Sequence, residues 1–177
     1  MTEAAPDRAL IAADTFRAVM SRFATGVTVV TCVQDGFDHA MTANSFTSVS
    51  LDPPLVLVCV ENDSRFHEAI GQAGTWAVSV LHSGQRGRAR WFATRGRPLV
   101  GQLDSTPTTR SEITGSLVLE GSLAVLECRT TAVHPAGDHD IVVGEVLGLR
   151  LPHPDGEPLL YFRSAFRTLG DSAEPTG

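Results

Sequence analysis

The chain has 177 residues, 42% of them hydrophobic, enough to bury one core without covalent staples. A net charge of −6, with no basic block dense enough to track a phosphate backbone, argues against nucleic-acid binding. No apolar stretch approaches the roughly 18 residues of a membrane span, and the N-terminus lacks the cationic start and apolar core of a secretory leader. Three scattered cysteines without CxxC spacing predict free, buried thiols in a reducing cytoplasm.

In chain order, residues 1–13 are expected to be a flexible lead-in, 14–170 one domain and 171–177 a disordered tail. Asp14 can cap a first helix with Phe16, Val19, Met20 and Phe23 on one face, stopped by Gly26. Residues 27–33 are β-branched and end at Asp35-Gly36, a hairpin signal leading to a strand from Phe37 towards Thr42. Residues 55–60 are unbroken apolar and predict a central strand with neither face wet. Ser64 can cap a short helix through Ile70, ended by Gly71. A strand is expected over 75–81 and an arginine-rich helix over 85–93.

Residues 95–115 show no periodicity and predict a long loop, a common place for function. Over 123–133, Ala124, Leu126, Cys128 and Ala132 share one strand face, with Val125, Glu127, Arg129 and Thr131 on a wetter one. After a turn at 135–138 comes a long strand over 141–151, in which Gly144 and Gly148 signal bulges or close backbone approach. A last short strand is expected over 158–162. Six or seven strands with two or three short helices indicate a mainly β fold, an antiparallel barrel with helical decoration. Neither the βαβ alternation nor the GxGxxG of a Rossmann fold is present.

No GxSxG elbow, HxH or HExxH spacing occurs, so neither a serine nucleophile nor a metal site is indicated. The informative stretch is 41–66. There the small polar residues Thr42, Asn44, Ser45, Thr47 and Ser48 precede Pro53-Pro54, the apolar run and a Ser64-Arg65-Phe66 step. Hydroxyl, amide and backbone donors beside a buried strand suit a large flat ligand with a polar rim and a phosphate tail, or else a loop satisfying its own backbone. His139 is either a turn histidine bonded to a neighbouring carbonyl or a polar group at a barrel mouth aimed at a bound ring. Tyr161, Phe162 and Arg163 offer two rings and a cation; core packing explains Phe162 equally well. Arg86, Arg88, Arg90, Arg95 and Arg97 serve an anionic tail or form a solvated helix face.

Segments 16–31, 42–59, Ser64-Arg65, 137–146 and 158–170 together resemble the flavin reductase-like family, the NAD(P)H:flavin oxidoreductases that feed two-component flavin-dependent monooxygenases. The five stand in the family's order and spacing from about Asp14 to Gly170. The resemblance implies an FMN-binding split barrel, antiparallel and Greek-key-like, in a cytoplasmic homodimer. It implies that Ala40, Met41, Thr42, Asn44 and Ser45 meet the flavin ring edge and ribityl-phosphate region. Cys59, Val60, Glu61, Asn62, Asp63, Ser64, Arg65 and Phe66 would wrap the other side, with Ser64 and Arg65 near the phosphate. His139, as the catalytic positioning group, and Tyr161, Phe162, Arg163 and Ser164 would meet the nicotinamide nucleotide. Ser164 stands where many relatives carry Gly, and Phe166 where many carry Tyr. FAD or FMN with NADH, or NADPH in its place, are the implied cofactors. Two other readings stay open: a module retaining FMN for electron transfer, and an enzyme oxidising an organic substrate on the same barrel. The 95–115 excursion is the candidate for accommodating an adenylate.

Overall fold

The computed structural model describes residues 11–171; the expected lead-in up to residue 10 and the tail beyond 171 lie outside the described residues. Helix α1 (Ala13–Met20) and the short β1 (Thr25–Gly26) precede β2 (Thr28–Gln34), β3 (Phe37–Ala43), β4 (Thr47–Leu51) and β5 (Pro54–Glu61). Then come α2 (Arg65–Ala73), β6 (Thr75–Val80), α3 (Arg86–Ala93), β7 (Thr108–Arg110) and β8 (Leu117–Leu119). The long hairpin β9 (Ala124–Ala136) and β10 (His139–Arg150) is followed by β11 (Leu160–Phe162) and β12 (Ala165–Arg167). Among the described residues, no helix is long and apolar enough to cross a membrane.

Seven strands form one antiparallel sheet in the order β3-β2-β6-β9-β10-β5-β4. Its two edges, β3 and β4, are consecutive in the chain and joined only through residues 44–46. Flat, six inter-strand gaps would put those edges roughly 29 Å apart, whereas this link reaches roughly 14 Å at most. The sheet must therefore curl until its edges approach. No ladder joins β3 to β4, so the barrel is left split along that line.

Inside the curl, Val30, Val58, Val60, Trp76, Val78, Cys128 and Val142 pack with Phe66, Ala69 and Ile70 of α2. On the other face of β2 and β3, Val29 and Ala40 pack with Leu81, Phe92 and Ala89 of α3, Leu119 and Leu159. The strands with both faces buried are thus β2 and β6, not β5. Val56, Val58 and Val60 of β5 are buried, but Leu55, Leu57 and Cys59 alternate with them half-exposed, because no helix among the described residues covers that outer face.

Several boundaries differ from expectation for identifiable reasons. The cap position of α1 is Ala12, without a side-chain bond; Asp14 sits in the first turn and pairs with Arg17 at 2.9 Å. The helix ends at Met20, and its predicted apolar face is uncovered, with Phe16, Val19, Met20 and Phe23 all exposed. Ser64 does cap α2, accepting from the His67 amide. That helix runs through Gly71 and stops at Gly74, which takes the left-handed conformation (φ 69°). The 95–115 excursion is not all loop: β7 pairs with β8, and Val118 covers Val125 and Ala77. This hairpin makes the supposedly wet face of β9 dry, so Val125 and Glu127 are buried. Glu127 is compensated by a hydrogen bond from Ser111 and by Arg150 at 3.7 Å. Both strand glycines sit at register shifts of β9–β10, and a Cβ on Gly144 would run into the Trp76 ring. The last strand continues into a hairpin with β12, turning at Arg163 and Ser164, both at positive φ (51° and 57°).

Candidate functional site

The split is where the chemistry-bearing side chains collect. On its β3 side the outer strand edge has no strand partner among the described residues. The Ala40 carbonyl accepts from Arg97 Nη2 (2.8 Å) and the Asp38 carbonyl from Gln102 Nε2 (2.9 Å). Antiparallel alternation puts the N–H of a residue on the same side as its C=O. The amides of Ala40 and, two residues on, Thr42 therefore face the opening as donors. Thr42 is fixed by its hydroxyl, which donates to the Ala89 carbonyl of α3 at 2.8 Å.

On the opposite side, β4 covers β5 only as far as the Thr47–Leu57 pair. Beyond it, Ser45 takes the place of a strand. Its hydroxyl accepts from the Cys59 amide and donates to the Cys59 carbonyl, both at 3.1 Å. Two residues further, the Glu61 carbonyl accepts from the Ser64 hydroxyl (2.7 Å) and amide (3.0 Å). The predicted polar cluster is thus partly a backbone-satisfying device and partly a wall, and the two readings of it coexist.

Between these walls lies an open groove of about 540 Å³, within the usual range for small-molecule sites. Ala40, Met41, Thr42, Asn44 and Ser45 line one side, and Cys59, Glu61, Asp63, Ser64, Arg65 and Phe66 the other. His139 stands at the rim, opposite Glu61 in the β5–β10 register, with Nδ1 2.8 Å from Asp138 Oδ1. That hydrogen bond holds the Asp138 carboxyl below its ordinary range.

A second groove, of about 750 Å³, opens beside the first and shares Thr42, Asn44, Ala93 and Thr94 with it. Tyr161 and Ser164 line this one, so the chain does not bring His139 and the 161–164 segment to one wall. Four predicted site residues face neither groove. Val60 is fully buried in the core. Asn62 ties the β9–β10 turn through its amide to the Asp138 carbonyl (3.0 Å). Phe162 and Arg163 stack on each other, guanidinium to ring centroid 5.2 Å, at the hairpin turn.

The sequence reading missed His39 of β3 on the first groove, and with it Phe92, Leu99 and Gln102, the last three because 92–102 reaches β3 only through the tertiary fold. Arg95 and Arg97 of the arginine cluster do reach it. Arg95 pairs with Glu61, and Arg97 also bonds the Trp91 and Thr94 carbonyls and receives Arg65 on its own carbonyl. Two buried polar atoms on this groove, His39 Nε2 and Arg97 Nε, have no hydrogen-bond partner. Burial, reinforced by the Arg65 cation, lowers the His39 pKa, which favours a neutral imidazole. Orphaned polar atoms, strand-edge amides and flat apolar walls are the complement of a planar heterocycle with a polar rim, and the groove is not plugged.

Residues 20–170 match the flavin reductase like domain. The chain is 43% identical over 160 residues to the NADH-dependent FAD reductase of Streptomyces globisporus, covering 89% of this chain and 86% of that protein. It is 38% identical to HsaB, the reductase subunit of a flavin-dependent monooxygenase from Mycobacterium tuberculosis, over 86% of this chain and 80% of that one. Among solved structures it is similar to BorF, the flavin reductase component of a bacterial two-component tryptophan halogenase. That match has a TM-score of 0.85 and 45% identity, over 89% and 98% of the two chains. The Streptomyces globisporus NADH:FAD oxidoreductase in complex with NAD and FAD fragments superposes with a TM-score of 0.84 at 40% identity, over 91% and 94% of the chains.

Proposed function

The chain belongs to the flavin reductase-like family, and from that premise we propose that it is an NADH-dependent flavin reductase that hands reduced flavin to a partner monooxygenase. The observation that carries the reading is the pair of open grooves meeting at Thr42, Asn44, Ala93 and Thr94. A reaction between two planar nucleotides needs two sites that touch. When bound, the two substrates supply the redox chemistry, hydride passing from nicotinamide C4 to flavin N5.

The protein's share is positioning and electrostatics. The Ala40 and Thr42 amides, with Asn44 and Ser45, hold the polar rim of the flavin. Ser64 and Arg65, at the start of α2, take its phosphate where the helix N-terminus favours an anion. His39, kept neutral, adds a hydrogen-bonding nitrogen without a competing charge. His139, oriented by Asp138, positions the nicotinamide ring at the rim and is not an obligatory proton donor. No acid–base group is required, consistent with the lack of any triad signature in the sequence. The groove's openness favours release of the flavin over its retention.

A second copy of the chain is the proposed cover for the uncovered apolar surface of α1 and for Leu51, Leu149 and Leu151, which are 91%, 70% and 70% exposed. Sedimentation of the purified protein at a dimer mass is the expected result.

The decisive assay is spectrophotometric. Protein purified without colour should bleach added FMN or FAD with NADH under anaerobic conditions, NADPH serving less well. Protein that stays yellow through dialysis and is inert to NADH would instead support a retained electron-transfer flavin. His139→Ala should slow the NADH half-reaction while leaving flavin affinity largely intact; equal loss of flavin binding overturns its assignment to nicotinamide.

A further inference from the structure

A histidine and a carboxylate meet beneath the first groove without lining it. His67 Nε2 of α2 lies 2.7 Å from Asp140 Oδ2 of β10, and neither residue faces either groove. Among the described residues no other side-chain hydrogen bond joins α2 to β10. Both partners adjoin residues assigned to the reaction. Asp140 follows His139, and alternation along β10 turns their side chains to opposite faces. His139 goes to the groove with its register partner Glu61, and Asp140 to the inner face beside Val60. Two residues further along that inner face, Val142 packs with Phe66, Ala69 and Ile70 of α2. His67 in turn belongs to the cap of α2, its amide donating to the Ser64 hydroxyl at 3.2 Å and to the Ser64 carbonyl at 3.0 Å. The bond therefore ties the strand that carries His139 to the turn that carries Ser64 and Arg65.

His139 has a direct partner of its own, but a weak anchor. The Asp138 side chain is 92% exposed, and exposed pairs of this kind hold little against water. The Asp140 side chain is 18% exposed, so its bond to His67 meets less competition from solvent and adds direction that the apolar packing of Val142 lacks. We propose that His67 and Asp140 are positioning residues for hydride transfer. Their bond latches the β10 backbone at His139 to the start of α2, and so sets the nicotinamide ring against a flavin whose phosphate the same α2 turn holds. The inference rests on the reductase reading, and on His139 serving the nicotinamide, and it deepens both. Neither side chain touches a substrate. What they fix is the offset between two binding walls, and a displacement of about 1 Å from near-attack geometry can cost about a hundredfold in rate.

The test breaks the bond from each side, in D140A and in H67A, and follows anaerobic single-turnover bleaching of FMN at saturating NADH. Each variant should lose about tenfold in that rate. Flavin affinity should stay within about twofold of wild type, because Ser64 and Arg65 keep their own bonds to the Glu61 and Arg97 carbonyls. H67Q retains a donor where Nε2 stood and should restore the rate to within about twofold of wild type. The distinguishing measurement is a double-mutant cycle with H139A. Added to H139A, either change should slow transfer less than about twofold further, since a latch that acts through His139 then has nothing left to position. A merely structural defect would multiply with H139A and would weaken flavin binding as well. Should H67A fail to fold around its stranded carboxylate, H67A/D140A removes both partners and takes its place. The proposal is overturned by rates within twofold of wild type in both single variants, by full multiplication with H139A, or by an H139A protein as fast as wild type. Failure of the wild-type protein to oxidise NADH with FMN would sink the reductase reading itself, a separate outcome.

Discussion

Ser45 closes the split where β4 runs out, and its removal is the sharpest test of how the groove is built. One hydroxyl satisfies both backbone groups of Cys59 at 3.1 Å, at a position where the ladder to β4 has ended at Leu57. In Ser45→Ala the Cys59 amide and carbonyl lose that partner together. Leaving a buried backbone group unpaired costs about 1–3 kcal/mol. The site is only part-buried, and water entering from the groove can recover some of that, so about 1–2 kcal/mol is expected. For a domain of this size, at roughly 2–4 °C per kcal/mol, the melting temperature should fall by about 2–8 °C. Loss of the wall's alignment should also weaken flavin binding about fivefold, equivalent to about 1 kcal/mol. Differential scanning fluorimetry and flavin fluorescence titration measure the two effects. Ser48→Ala, on exposed β4 and outside both grooves, is the control and should shift neither. A Ser45→Ala protein that melts within a degree of wild type and binds flavin unchanged would refute the idea that this hydroxyl replaces a strand.

Acidification should destabilise the fold through His39 and His82. Burial lowers both pKa values, helped by Arg65 at His39 and by His153 and then Arg88 at His82. The unfolded chain therefore takes up these protons first. Their contribution is intact above the ordinary histidine pKa of about 6.5 and is lost as pH falls through the lowered folded values. Protonated His82 also forfeits the Gly84 amide bond to Nδ1 (3.1 Å), so His82→Gln should flatten the dependence of melting temperature on pH. In thiol labelling of the native protein, Cys59 alone should react. Burial pushes the Cys32 and Cys128 thiols up to about 12, while Cys59 is part-exposed and lines the first groove. Added FMN should slow its alkylation several-fold, and indifference to FMN would place the flavin elsewhere. Ser164→Gly should raise the melting temperature by about 1–3 °C, because the left-handed penalty of roughly 1–2 kcal/mol exceeds the entropy that glycine adds to the unfolded chain. A lower melting temperature would mean that the Ser164 side chain contributes more than its backbone strain costs.

What the sequence disclosed and what it concealed separate by the distance over which each cause acts. The Asp35-Gly36 turn, the Ser64 cap and the β-branched run of β2 each depend on residues within a few positions, and each stands where expected. The outer face of β5, the dryness of Glu127 and the contribution of His39, Arg97 and Gln102 depend on which element packs above them. That is decided by α3, by the β7–β8 hairpin and by the curl of the sheet, none of which leaves a mark at the residue affected. Ser45 shows the boundary between the two cases. Its polarity is visible in the string TANSFTS, but its duty is not, because that duty exists only since β4 stops two pairs short of Cys59. A family resemblance supplies part of this non-local information, since relatives share the packing along with the motif, and it directed attention to residues 40–45 and 59–66 in advance. It could not supply Arg86, Arg90 and Arg167, whose common property is that their guanidinium groups, among the described residues, stand unpaired around one groove. That property belongs to the folded chain, and reading it required the positions of the carboxylates that are not there.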